Sequence, residues 1–154
     1  MGNVLYPVLM LIAGIGIPVM AALNAGLGVR LQSPSAAVFI LCVVALVLAA
    51  IGLAITATPS QAAIKATPIQ YYLAGTLFIF YIATITIAAP RIGVGNAVFF
   101  VLLGQLISAA LLDHYGLWGM PVAQITPKRI LGILLMTVGI YLARKEVVPS
   151  LPNL

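Results

Sequence analysis

The chain has 154 residues, 64% of them hydrophobic and only 6% charged, with a formal net charge of +5. A water-soluble domain carries about a quarter of its residues charged to keep a solvated face, so this composition excludes one and points to an all-α integral membrane protein. Length allows a single transmembrane domain over 1–154 and no separate soluble domain.

Taken in chain order, four runs approach or exceed the roughly 20 apolar residues that a spanning helix needs. They are 4–23, 35–57, 71–90 and 93–112. A fifth run, 127–143, is shorter, but Lys128 and Arg129 at one end and Arg144 and Lys145 at the other can snorkel and extend its reach. Thr126-Pro127 suits its start: a capping hydroxyl, then a proline where the missing N–H costs nothing. The expected fold is therefore a bundle of five transmembrane helices. The first run lacks a basic n-region and is long for a signal peptide, so it reads as a retained span. Tyr115 and Trp118, in the longest link, read as aromatics of the membrane interface.

Helices in lipid pack where small residues let backbones approach. Gly14 and Ala21 (with Ala25) in the first span, Gly52 in the second, Gly104 in the fourth, and Gly132 and Gly139 in the fifth are the expected packing positions. Pro18 lies deep in the first span and is expected to kink it.

The basic residues stand singly or in pairs between apolar runs, without the basic stripe and interleaved aromatics of a nucleic-acid surface. Membrane lipid is the expected partner, and nucleic acid is not. Five spans place the termini on opposite sides. With the N-terminus inside, Lys65, Lys128 and Arg129 lie inside, while Arg30, Arg91, Arg144 and Lys145 lie outside. That is almost no positive-inside bias. Either another feature sets orientation, or the chain inserts both ways and two oppositely oriented copies form an antiparallel dimer. No internal repeat is visible, so such a dimer would supply the inverted repeat of many transporters.

The polar residues at membrane depth are few. Gln105 sits near the middle of the fourth span with Ser108 one turn on; its amide can bond a solute or a neighbouring helix. Asn96 lies on the opposite face from Gln105 at 3.6 residues per turn. Asn24 follows the small-residue stripe of the first span, where it can cap the helix end or face a solute. Tyr81 and Thr84, at i and i+3 of the third span, can line a cavity, although threonine in such helices usually bonds its own backbone. Asp113 and His114 close the fourth span, either at a cavity mouth or as interfacial anchors. One histidine with one carboxylate is too few for a metal site, and Cys42, the only cysteine, excludes an internal disulfide. No catalytic triad, zinc-protease motif or phosphate loop is present, so neither a cofactor nor an enzymatic activity is expected.

Three passages resemble the short, YdcZ-like branch of the drug/metabolite transporter superfamily. They are GIGIPVMAALNAGLGVRLQSPSAAVF, RIGVGNAVFFVLLGQLISAALLDHYGLWG and ITPKRILGILLMTVGIYLARK. The Gly104-Gln105 and Asp113-His114-Tyr115-Gly116 motifs of the second are the most specific. The resemblance implies a multi-pass protein of the cytoplasmic (inner) membrane. It also implies a half-size transporter that dimerises with itself or with an oppositely oriented paralogue, and moves a small solute by alternating access. It supplies no solute. A dimeric passive channel and a non-transporting accessory subunit are the competing readings: a carrier saturates and shows counterflow, a channel dissipates, and an accessory subunit alone gives no flux.

Overall fold

A computed structural model describes residues 2–56 and 58–143. It is built of helices: α1 (Gly2–Arg30), α2 (Pro34–Ile55), α3 (Gln61–Ala66), α4 (Ala74–Ile92), α5 (Val94–Tyr115) and α6 (Pro127–Ala143). Short 3-10 turns cover Ile69–Leu73 and Leu117–Gly119. Four segments are long and apolar enough to cross a membrane: Val4–Arg30, Pro34–Ile55, Ile69–Ile92 and Val94–Tyr115. The fifth expected span is a helix with the expected bounds. At 17 residues it rises about 26 Å at 1.5 Å per residue, short of a hydrocarbon core of about 30 Å. Arg144 and Lys145, on which its extension rests, lie outside the described residues.

Most of the apolar surface faces outward. Leu23 is 71% exposed, Phe39 69% and Ile55 81%. A soluble protein does not leave contiguous apolar area of this extent uncovered; lipid covers it here.

The chain divides into two compact units, Met1–Arg91 and Ile92 onward. In the first, the buried face of α1 is Ala21, Asn24, Ala25 and Gly28, and that of α4 is Ile82, Ile85, Thr86 and Ala89. Both follow i, i+3, i+4, i+7, the spacing of one helix face. Ala37 and Val38 are the buried residues of α2. These are mostly small side chains, as close packing in lipid requires.

The first span is longer than its sequence suggests. Gly26 and Gly28 read as helix breakers, but α1 runs through them to Arg30. Gly28 serves contact rather than termination: a Cβ there would lie 3.3 Å from the Pro34 Cα, 3.4 Å from the Thr86 Cγ2 and 3.6 Å from the Ala37 Cβ. Three helices therefore meet at this hydrogen. The helix ends two residues later, at Arg30, in a Schellman closure. The Ser33 N–H donates to the Gly28 carbonyl (3.0 Å) and the Gln32 N–H to the Val29 carbonyl (3.1 Å). Gln32 holds the left-handed position at φ 51°, where glycine is usual. Ser33 then caps α2, its Oγ accepting from the Ala36 N–H at 3.2 Å, with Pro34 opening the helix. The α1–α2 link is thus Leu31, Gln32 and Ser33. Ser60 caps α3 in the same way, accepting from the Ala63 N–H at 3.1 Å.

In the second unit, α5 starts after Gly93 and keeps Asp113, His114 and Tyr115 in its last turn, three residues past the expected end. Gly116 closes it at φ 57°, ψ 36°. Thr126 caps α6 as its sequence predicts, its Oγ1 accepting from the Arg129 N–H at 3.2 Å.

Candidate functional site

Asn24 lies inside α1 and is 5% exposed, so it does not cap the helix end. Its Nδ2 donates to the Thr86 Oγ1 at 2.6 Å, and Thr86, 1% exposed, donates the same hydroxyl to the Ile82 carbonyl at 2.6 Å. The hydroxyl therefore works twice. Its back-bond to the residue four positions earlier fixes the rotamer, which aims its lone pair at α1. Asn24 is about 9 Å along the axis from Arg30, and Thr86 about 8 Å from Arg91. The pair is a side-chain hydrogen bond between α1 and α4, set inward from the basic ends of the two helices. An asparagine side chain offers two donors and a two-lone-pair acceptor, and this bond uses one of them.

Tyr81 and Thr84 are the residues of this span that the sequence offers as cavity lining. Thr84 is exposed. The Tyr81 hydroxyl is buried with no hydrogen-bond partner among the described residues. Thr86, which the sequence reading passed over, is the residue that meets α1. The signal was present: Ile82, Ile85, Thr86 and Ala89 share the helical spacing.

Two clefts of about 240 Å³ each flank the N-terminus of α2 within this unit. One runs between the ends of α1 and α4, with Thr86 on its wall and Gln32 and Arg91 toward its end. The other, between α2 and α4, is lined by Pro34, Ser35, Val38, Ile79, Ala83 and Ile87. Pro34 and Ile87 border both.

In the second unit, Gln105 is near the midpoint of α5. It and Ser108 are exposed on one face, and neither has a hydrogen-bond partner among the described residues. Asp113 and His114 have other work. Asp113 Oδ2 accepts from the Arg129 Nη2 at 2.5 Å, and the Arg129 Nη1 donates to the Ala123 carbonyl at 3.0 Å. The Ala123 N–H reaches the Asp113 carbonyl at 2.8 Å, and the Ile125 N–H reaches the His114 Nδ1 at 3.2 Å. An Nδ1 that accepts carries no proton, so the ring proton sits on Nε2. These contacts hold the 117–126 segment to the end of α5. The ion pair is half-buried, and such pairs are worth under about 1 kcal/mol; the backbone bonds do most of the holding.

Of the expected packing positions, Ala21 is buried. At Gly14, Gly52, Gly104, Gly132 and Gly139 no other element among the described residues lies within 4 Å of where a Cβ would stand. Pro18 lies inside the continuous α1, where it withholds an N–H from the Gly14 carbonyl.

The family model described as "Putative inner membrane exporter, YdcZ" matches residues 5–142, nearly the whole chain. The chain belongs to the YdcZ family. It is accordingly a multi-pass protein of the inner membrane, and the family's description is that of a membrane exporter. No curated protein and no solved structure matches it.

Proposed function

We propose that this YdcZ-family chain is one half of a drug/metabolite-type exporter. In this reading α6 completes a five-span bundle. A second copy in the opposite orientation, or an oppositely oriented paralogue, completes a ten-helix carrier. A small solute then crosses by alternating access between the halves. No span carries a carboxylate at mid-depth, which favours a neutral or weakly charged solute over a strongly cationic one.

The observation that carries the reading is Gln105. A primary amide halfway along a membrane helix is costly to leave facing hydrocarbon, and this one is exposed without a partner among the described residues. A second chain or a solute satisfies it. The open glycines Gly104, Gly132 and Gly139 support chain-to-chain packing, and the near-even basic residues support insertion both ways.

Gln105→Leu keeps the shape and helix propensity of the site and removes the amide. In proteoliposomes loaded with a solute found by thermal stabilisation of the purified protein, the variant is expected to lower transport at least tenfold while the cross-linked dimer persists. An unchanged rate takes Gln105 out of the site. Saturation and counterflow identify a carrier; unsaturable dissipative flux identifies a channel instead.

Orientation has its own test. Reporter fusions at Leu154 are expected to report from both sides of the membrane. A signal from one side only removes the antiparallel homodimer and leaves the paralogue as the second half.

A further inference from the structure

The two clefts of the first unit share Pro34 and Ile87. One, at the ends of α1 and α4, has Arg91 and Gln32 among its lining residues. The other is lined by Ser35 and otherwise by apolar residues, and follows α4 from Ile87 back to Ile79, about 12 Å deeper at 1.5 Å per residue. A half-bilayer of hydrocarbon is about 15 Å deep. Both clefts expose mainly apolar surface, which suits an acyl chain, and Arg91 and Gln32 stand at the end where a headgroup would sit.

Charge decides which lipid. Arg91 has no ion pair or hydrogen bond among the described residues, and the chain has only two acidic residues against seven basic ones. Asp113 is engaged by Arg129. A guanidinium presents a planar fork of donors that suits a phosphate better than any neutral group, and basic pockets between membrane helices bind anionic headgroups.

Gln32 lines the same cleft as Arg91, and a carboxamide N–H can donate to a phosphate oxygen.

We propose that an anionic phospholipid occupies this pair of clefts, its phosphate on Arg91 and Gln32 and one acyl chain along Val38, Ile79, Ala83 and Ile87. The lipid is a bound component of the α1–α2–α4 unit, apart from the transported solute and from the Gln105 surface.

The test is native mass spectrometry of the purified full chain, equilibrated with equal amounts of phosphatidylglycerol and phosphatidylcholine of the same acyl chains. Retained phosphatidylglycerol is expected to exceed phosphatidylcholine about tenfold, and Arg91→Gln to bring the ratio near one. Gln32→Gly relaxes the turn, so it folds at least as well as the parent; it is expected to lower retention several-fold. Ile87→Trp fills the boundary of both clefts and is expected to lower it as far as Arg91→Gln. Lys128→Gln removes a charge in the other unit and is expected to leave the ratio unchanged. Equal loss in Lys128→Gln and Arg91→Gln overturns the proposal, because it shows general charge attraction. Full retention in both Gln32→Gly and Arg91→Gln overturns it too. Displacement of the lipid by millimolar inorganic phosphate overturns the lipid assignment, because the site then takes a soluble anion.

Discussion

Thr86→Val is expected to lower the thermal stability of the detergent-solubilised protein and to cut transport, although it changes the side-chain volume little. The methyl group that replaces the hydroxyl fits the same space, so cavity formation is not the cause. What is lost is the acceptor for Asn24. Hydrogen bonds between membrane helices are worth only about 0.6 kcal/mol on average, because the unfolded helices find other partners in the membrane. Asn24, however, is 5% exposed among Ala21, Ala25 and Gly28, so its orphaned Nδ2 cannot turn to water. An unsatisfied buried donor costs about 1–3 kcal/mol. The second effect wins, and about 1–2 kcal/mol is expected. Ile82 loses only a second donor at its carbonyl, so the helix itself is little changed.

The double variant Asn24→Leu, Thr86→Val separates packing from chemistry. Replacing both partners of a buried bond by apolar groups can be nearly neutral, so the double variant is expected to be more stable than Thr86→Val alone. If transport recovers along with stability, Asn24 and Thr86 are a packing device; if stability returns and transport does not, the amide has a part in moving solute. A Thr86→Val protein that unfolds at the parent's temperature would falsify the account of the pair. The energies are compared as a cycle, because contacting residues are not additive.

The spans themselves were legible because apolar length is a strong signal and lipid leaves few alternatives. Capping was legible where a hydroxyl precedes proline, as at Thr126-Pro127. Three features were not. Gly28 looks like a breaker in sequence, and only the Pro34, Thr86 and Ala37 atoms around it show that it is a contact. Gln32 in a left-handed turn has no sequence signature, since glycine or asparagine is the expected residue there. Thr86 was passed over in favour of Tyr81 and Thr84. An i, i+3 pair of polar side chains drew attention, whereas the face that packs was set by the small and branched residues on either side of Thr86. In membrane helices the buried face is the one with small residues and a single polar group, a weaker pattern than the apolar stripe of a soluble helix. The glycines Gly14, Gly52, Gly104, Gly132 and Gly139 stand open among the described residues for a related reason. Spacing shows which glycines share a face, but it does not show which molecule that face meets.

Gly116→Ala is expected to be the most damaging single change in the second unit, and its cost has two parts that can be measured separately. Gly116 sits at φ 57°, ψ 36°, where any residue with a Cβ pays about 1–2 kcal/mol. The added Cβ would also stand 2.6 Å from the Val122 Cγ2 and 3.3 Å from the Met120 carbonyl oxygen. Val122 can yield, but it precedes Ala123, whose N–H bonds the Asp113 carbonyl and whose carbonyl takes the Arg129 Nη1. Pushing Val122 away therefore strains the contacts that join the 117–126 segment to α5. The total is expected to be about 2–3 kcal/mol, by adding a clash of about 1 kcal/mol to the backbone penalty. Val122→Ala in the Gly116→Ala background removes the 2.6 Å contact and leaves the backbone penalty, so roughly a third to a half of the lost stability should return. Asp113→Asn is expected to cost less than either, because the ion pair is half-buried and the backbone bonds around it remain. Thermal unfolding of the three variants ranks them. Complete rescue by Val122→Ala makes the clash the whole effect and removes the left-handed penalty; no rescue at all makes the backbone the whole effect. The ranking matters for function because Gly116 belongs to the Asp113-His114-Tyr115-Gly116 motif. If Gly116→Ala outweighs Asp113→Asn in stability while both leave transport per folded molecule unchanged, the motif shapes the joint between α5 and α6 and has no part in moving solute.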